Sequence, residues 1–273
     1  MGKMFVTGHK GFIGKNLVKE LEKFDNVVKG WGEWHEIFYI DQYFEVIDKL
    51  NEFKPDVIFH VGACANTLNR NVNYMMFYNF EATRLLMKWA HDNHTPLIYS
   101  SSASSYGVNG FYPCNLYGWS KYSAEQYVLA MGGIALRYFN VYGPGEELKG
   151  NMSSVAYQMY LKQKNNEEIL LFPGNPTRDF VYVQDVVNAN IQAYLNYGSL
   201  PRVPYDVGSG ESRSFEDVLN LMGIEYQYHT MDKIPQGYQF HTCANKKCFL
   251  PKWTPKFTLE DGIKEYKSYL DGI

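Results

Sequence analysis

Apolar residues recur along this chain with two different periods, and the two alternate. Short, nearly solid apolar runs at Met4–Thr7, Asn26–Lys29, Ile37–Ile40, Asp56–His60, Pro96–Ser101 and Gly133–Tyr138 read as buried strands. Between them lie segments of helical spacing. Gly14–Lys23 places Leu17, Val18 and Leu21 on one side, and Phe44–Asn51, Met75–Asn93 and Ser120–Ala130 follow it. Strands that alternate with helices at this spacing predict an α/β fold, a Rossmann-type doubly wound parallel sheet covered on both faces. Any ligand of such a sheet belongs beyond the carboxyl ends of its strands. After Val141 the pattern loosens, and Pro144, Pro173, Pro176 and Pro204 interrupt it. The expected organisation is a doubly wound domain over residues 1–142, with a return segment near 179–207. A smaller C-terminal lobe occupies most of 143–273.

Charge narrows the partners. The chain has 273 residues, with 26 basic side chains against 29 acidic ones. That balance gives no sign of a nucleic-acid or membrane partner. The apolar runs are strand-sized, too short to span a bilayer, and the N-terminus leads straight into a strand without the apolar segment of a signal peptide. Cys64, Cys114, Cys243 and Cys248 show neither a disulfide framework nor paired-knuckle spacing. Cys243 and Cys248 have no second ligand pair, so no metal is expected. A reducing, cytoplasmic setting follows. The 23 tyrosines and 17 phenylalanines mostly suit packing on a sheet, and a few near a site can stack on rings or sugar faces.

Gly8-His9-Lys10-Gly11-Phe12-Ile13-Gly14 directly follows the first strand and opens the first helix. That is the context in which a glycine-rich turn binds a dinucleotide. The early glycines let the backbone approach a pyrophosphate, Gly14 lets the helix pack on the sheet, and the helix N-terminus offers N–H groups to the anion. An acid is expected at the end of the second strand to bind the ribose. The segment Asn26-Val27-Val28-Lys29-Gly30-Trp31 has none. Lys29 is instead placed to meet a 2′-phosphate, which favours NADP over NAD; the competing reading is a solvated strand-end lysine. Asp41 is placed either to accept from an adenine amino group or to cap the next helix.

Tyr117-Gly118-Trp119-Ser120-Lys121 sets a phenol and an ammonium four positions apart, on one face of a helix. A free tyrosine, with a pKa of about 10, is a poor base at neutral pH. A neighbouring cation favours its phenolate. A serine is also needed to hold a substrate hydroxyl. The strand before this motif ends in Ser100-Ser101-Ser102-Ala103-Ser104-Ser105. Together with the glycine turn, this order predicts proton abstraction from an alcohol beside a bound nicotinamide.

On these residues the chain resembles the extended short-chain dehydrogenase/reductases, the NAD-dependent epimerase/dehydratase family, which act on nucleotide sugars. Within them it is most similar to the branch that epimerises an ADP-heptose at C6. The likeness also rests on Phe59–Cys64, Tyr74-Met75-Met76, Arg137–Pro144, Lys149–Ala156, Arg178–Val183 and Tyr238-Gln239-Phe240. The resemblance implies that Ser102 holds the substrate hydroxyl, that Tyr117 is the first acid/base with Lys121 as its partner, and that Lys149 is a second acid/base. It implies cofactor contacts at Gly8, Gly11, Phe12, Ile13, Gly14, Gly62, Ala63, Asn79, Lys121 and Val141. Substrate contacts are implied at Asn140, Asn151, Gln158, Phe172, Arg178 and Tyr238, with Arg178 clamping a pyrophosphate. A homo-oligomer and a role in lipopolysaccharide biosynthesis follow from the same likeness. The chain departs from the pattern in a short loop between Ser102 and Tyr117, in Gly145 where an arginine is common, and in Gln158 where a histidine is usual.

Three alternatives stand beside this reading. A 4-epimerase or reductase of the same family needs only Ser102, Tyr117 and Lys121. A 4,6-dehydratase would need carboxylic acids after the serine, where this chain has Ala103, Ser104 and Ser105. A non-catalytic dinucleotide-binding protein on the same fold is the third possibility, though it has no use for the tyrosine, lysine and serine together.

Overall fold

In the computed structural model, six parallel strands form one sheet in the order β2-β1-β3-β4-β5-β9. They are β1 (Lys3–Thr7), β2 (Val27–Trp31), β3 (Val57–His60), β4 (Leu97–Ser102), β5 (Ile134–Tyr138) and β9 (Pro204–Val207). The structure describes residues 2–24, 26–31, 40–107, 110, 112–171, 173–229 and 239–273, without the side chains of 40–44. β3, β4 and β5 are buried along their whole lengths. That burial is why they read as solid apolar runs instead of alternating ones.

Helices cover both faces. On one side α1 (Phe12–Glu22) and α7 (Val183–Leu195) pack with Val6, Phe59, Ile98 and Leu136. On the other, α2 (Ile40–Phe53), α4 (Ala82–Asp92) and α5 (Leu116–Ala130) pack with Phe5, Ile58, Leu97 and Tyr99. The expected strand at Ile37–Ile40 falls mostly outside the described residues, and Ile40 itself opens α2. The helix expected over Met75–Asn93 is three pieces: α3 (Val72–Met76), a π-helical turn (Phe77–Glu81) and α4. The π turn is where Asn79 faces inward, and such turns gather at functional sites. α5 begins four residues earlier than expected because Asn115 caps it, accepting from the Gly118 N–H at 2.7 Å. Tyr117 and Lys121 therefore share its first turns.

Beyond the sheet, β6 (Asn140–Tyr142) pairs with β8 (Thr177–Tyr182), and β10 (Ser212–Ser214) runs antiparallel to β8. Short strands β7 (Leu170–Leu171) and β11 (Gln227–Tyr228) pair separately. A third apolar cluster holds this lobe together. It joins Tyr142, Phe180 and Tyr182 to α6 (Val155–Lys164), α8 (Phe215–Met222) and α9 (Leu259–Asp271). α9 contributes Leu259, Ile263, Tyr266 and Leu270, one helical stripe, and α8 starts with a Ser214–Asp217 capping box.

Candidate active site

The glycine turn has the shape a dinucleotide needs. Gly8 adopts φ +67°, and a Cβ there would lie 2.6 Å from the Gly62 Cα. The turns after β1 and β3 thus touch backbone to backbone. A Cβ on Gly14 would lie 2.0 Å from the Gly8 carbonyl oxygen, so only glycine lets α1 start this close to the turn. α1 has no side-chain cap and no acid in its first turn, which leaves its N–H groups to an anion. Phe12 is buried at the start of α1 and Ile13 half-buried beside it. Gly62 and Ala63 follow β3, and Val141 is buried on β6.

At the end of β4, Ser102 accepts from the Ser104 N–H at 3.2 Å and is hydrogen-bonded to Tyr117. Burial pushes the Tyr117 phenol up, the Ser102 bond opposes that shift, and Cys64 adds to it. In the protein alone, Tyr117 is therefore a neutral phenol. Lys121 is buried, with its Nζ 4.3 Å from the Tyr99 ring centroid. Burial brings this ammonium down to about 7, against the pull of Glu125 one turn further along α5.

Behind Lys121 lies a fully buried histidine. The Gly62 N–H donates to Thr7 Oγ1 at 3.1 Å, and the Thr7 hydroxyl lies 2.7 Å from His60 Nδ1. On the other side Thr83 donates to the Asn79 carbonyl at 2.7 Å, so His60 Nε2–H donates to Thr83 Oγ1 at 2.8 Å. This chain of bonds assigns the Nε2–H tautomer. Burial, then the charge of Lys121, lower the His60 pKa to about 3.

From the lobe, the segment Glu146–Met152 brings Lys149 beside the start of α1, its Nζ 5.5 Å from the Phe12 ring centroid. Burial lowers the Lys149 pKa and Glu146 opposes this. The approach is built by two tethers. Asn16 of α1 donates to the Pro144 carbonyl at 2.8 Å. The buried Glu146 carboxylate accepts from Gly143 N–H, Ser154 N–H and Ser154 Oγ–H at 3.3, 2.5 and 2.7 Å. Asn140 and Asn151 are exposed, and Arg178 on β8 donates to the Thr177 carbonyl at 2.9 Å with its guanidinium 5.6 Å from the Phe215 ring.

Three expected contacts are placed differently. Lys29 lies with its Nζ 5.3 Å from the Phe53 ring centroid, at the last residue of α2. That is the amino end of the sheet, since Asp56 just beyond it bonds the backbone of Lys3. Lys29 thus points away from the ligand crevice, because strand alternation and the apolar stem send its side chain along Phe53. Asn79 gives its amide to the Cys64 backbone, accepting at 2.8 Å and donating at 3.1 Å, and donates to Ser120 at 2.9 Å. In the protein alone it holds the turn after β3. Gln158 donates to the carbonyls of Ser153 and Asn151 at 2.7 and 3.3 Å, holding the loop that carries Asn151. Phe172, Tyr238 and the Asp41 side chain lie outside the described residues.

Residues the motifs did not single out complete the setting. Glu125 is fully buried and pairs with Arg137, which also stacks on Tyr106. The spacing 117, 121, 125 was the available signal, since it sets phenol, ammonium and carboxylate on one helical stripe.

A glycine-cradled helix N-terminus and a serine–tyrosine–lysine group, both at the carboxyl ends of the strands, define a nucleotide-dependent short-chain dehydrogenase type of enzyme. The chain belongs to the NAD dependent epimerase/dehydratase family, whose sequence model matches residues 4–208. It is similar to the ADP-L-glycero-D-manno-heptose-6-epimerase of Brachyspira hyodysenteriae, 32% identical over 98% of each chain. The protein of the same name from Alkalilimnicola ehrlichii is also 32% identical, over 85% of this chain and 83% of its own. Among solved structures, the ADP-L-glycero-D-manno-heptose-6-epimerase of Helicobacter pylori superposes with a TM-score of 0.85 at 26% identity, covering 100% and 97% of the two chains. The UDP-glucose 4-epimerase of Thermotoga maritima gives a TM-score of 0.85 at 23% identity over 99% of each chain, a likeness of fold. Among the described residues, no helix is long and apolar enough to cross a membrane.

Proposed function

We propose that this protein is a nucleotide-sugar epimerase that inverts C6 of an ADP-linked heptose with the help of bound NADP. The observation that carries the reading is that Lys149, from the lobe, comes within 5.5 Å of the Phe12 ring at the start of α1, while Ser102 at the end of β4 is hydrogen-bonded to Tyr117 of α5. A second proton carrier suits a side-chain carbon that must be approached from both faces.

The residues fit a nicotinamide dinucleotide: Gly8, Gly11 and Gly14 admit its pyrophosphate, and Phe12, Ile13, Gly62, Ala63 and Val141 line its path. Bound there, it supplies hydride uptake and return, and the positive charge of its oxidised ring favours the Tyr117 phenolate. Ser102 Oγ holds the reacting hydroxyl beside Tyr117 Oη. Tyr117 takes that proton, and the Lys121 ammonium stabilises the phenolate beside it. Lys149 serves the reacting oxygen when the other face of C6 is presented. Asn140, Asn151 and Arg178 hold the nucleotide sugar, Arg178 as a bidentate donor to its phosphates; Phe172 and Tyr238 complete that contact by resemblance. The preference for NADP over NAD rests on the lack of a carboxylate over residues 26–31 and no longer on Lys29.

The test is a panel of nucleotide sugars given to the wild type and to Lys149→Ala, with products separated by stereochemistry and the bound cofactor identified by mass spectrometry. ADP-heptose is expected to be inverted at C6. Lys149→Ala should lower turnover by about 10²–10⁴-fold, as for loss of a general acid–base group, with cofactor still bound. Normal turnover in that variant, or inversion only at C4 of a hexose, overturns the reading. Recovery of NAD alone overturns the cofactor preference.

A further inference from the structure

Glu125 lies one helical turn beyond Lys121 and is fully buried. Its carboxylate accepts from Arg137 Nε at 2.8 Å, from Arg137 Nη2 at 2.6 Å and from Ser101 Oγ–H at 2.6 Å. Ser101 is the neighbour of Ser102. Arg137, on β5, lies 4.2 Å from the Tyr106 ring centroid, and the Tyr106 hydroxyl donates to Asp206 at 2.7 Å. Asp206 in turn accepts from the Asn245 N–H at 2.8 Å. One buried network therefore ties the end of β4, the turn after it, the Tyr–Lys helix, β5 and β9.

We propose that Glu125 is a positioning residue for the catalytic group: it locks Ser102 against the helix that carries Tyr117 and supplies the negative charge that keeps Lys121 an ammonium. This rests on the proposed roles of Ser102, Tyr117 and Lys121. Among the described residues, the groups facing Lys121 are few. His60 from β3 is a neutral imidazole, kept so first by its burial and then by the charge of Lys121 itself. Tyr99 from β4 offers only its ring face, and Tyr117 is a neutral phenol. Glu125 is the anion that acts on Lys121, and it is shared with a second cation, Arg137. The two cations compete for one carboxylate, which gives the proposal a sign in each direction. Removing the charge of Glu125 lowers the Lys121 pKa, and removing Arg137 raises it.

The measurement is the titration of Lys121 in the cofactor-free protein by NMR with lysine labelled at 13Cε, its signal assigned by loss in Lys121→Arg. The wild type should titrate near 7. Glu125→Gln should move the midpoint down by about one pH unit or more, the size of a near opposite charge. Arg137→Met should move it up, and Glu125→Asp should hold it near the wild-type value. Breaking a buried ion pair is strongly destabilising. Where Glu125→Gln does not fold, Glu125→Gln with Arg137→Met removes both charges and should still lower the midpoint. A purely structural role would depress melting in these variants and leave the Lys121 midpoint in place; that result overturns the proposal. In the epimerase assay, the alkaline limb of kcat should move with the midpoint. A shifted midpoint in a protein that inverts no nucleotide sugar would overturn the proposed activity and leave the charge coupling standing.

Discussion

At the scale of single residues, the site works by controlling which groups carry protons. Tyr117 is held as a phenol, Lys121 stands near its midpoint at about 7, and His60 is kept neutral with a pKa of about 3. His60 has a measurable consequence. Unfolded, it binds a proton below its ordinary value of 6.5; folded, it does not until about 3. The stability its neutral form contributes is complete above pH 6.5 and is lost as pH falls toward 3, with a slope of up to ~1.4 kcal/mol per pH unit. In His60→Gln this dependence should vanish. Denaturant melts between pH 7 and pH 5 would show the wild type losing stability faster than the variant, and parallel curves would refute the assignment. The raised carboxylates Glu146, Asp179, Asp185 and Asp206 slope the other way in acid, but they do so in both proteins.

At the scale of elements, the cradle is a matter of how closely a helix starts to a turn. The glycines at 11 and 14 look alike in the motif but not in space. A Cβ at Gly14 would meet the Gly8 carbonyl at 2.0 Å, whereas one at Gly11 would sit 3.3 Å from it, with φ −76° that any residue adopts. Gly14→Ala should therefore cost about 1–3 kcal/mol through backbone displacement and release the bound cofactor. Gly11→Ala should melt near the wild type. Equal effects in a thermal melt would show that α1 does not need this close approach. The same scale explains the helix that carries Tyr117 and Lys121: Asn115 caps it early enough to bring Tyr117 inside its first turn, which apolar spacing alone did not reveal.

At the scale of the whole molecule, buried carboxylates join the lobe to the sheet. Asp179 on β8 accepts four bonds, from Ser209 N–H at 2.6 Å, Ser209 Oγ–H at 2.8 Å, Gly210 N–H at 2.8 Å and Ala244 N–H at 2.9 Å. It sits beside Arg178 and fixes two loops whose residues are 30 and 65 positions away. Asp179→Asn turns one acceptor into a donor that faces donors, at a cost of about 1–3 kcal/mol. Urea melts should show that loss, and KM for the nucleotide sugar should rise through the displaced Arg178. An unchanged midpoint would mean the loops are held by packing alone.

What could be read from the chain is what short-range physics specifies. Strand and helix alternation, the glycine turn behind β1, and the four-residue spacing of Tyr117 and Lys121 are local patterns, and all three appear in the folded protein. The places where the fold supplied partners outside the local pattern are three side chains, two of which meet remote residues. Lys29 turned toward Phe53, Asn79 toward Cys64 and Ser120, and Gln158 toward a loop backbone, because each found a partner that spacing does not disclose. Glu125 and Arg137 are twelve residues apart on a helix and a strand, and only packing makes them a bidentate pair. The sequence by itself determined the elements and the kinds of group at the site, since backbone propensity and period act within a few residues. The tertiary structure decided charge state and reach, because burial, shared counter-ions and the approach of Lys149 to Phe12 exist only once remote segments meet.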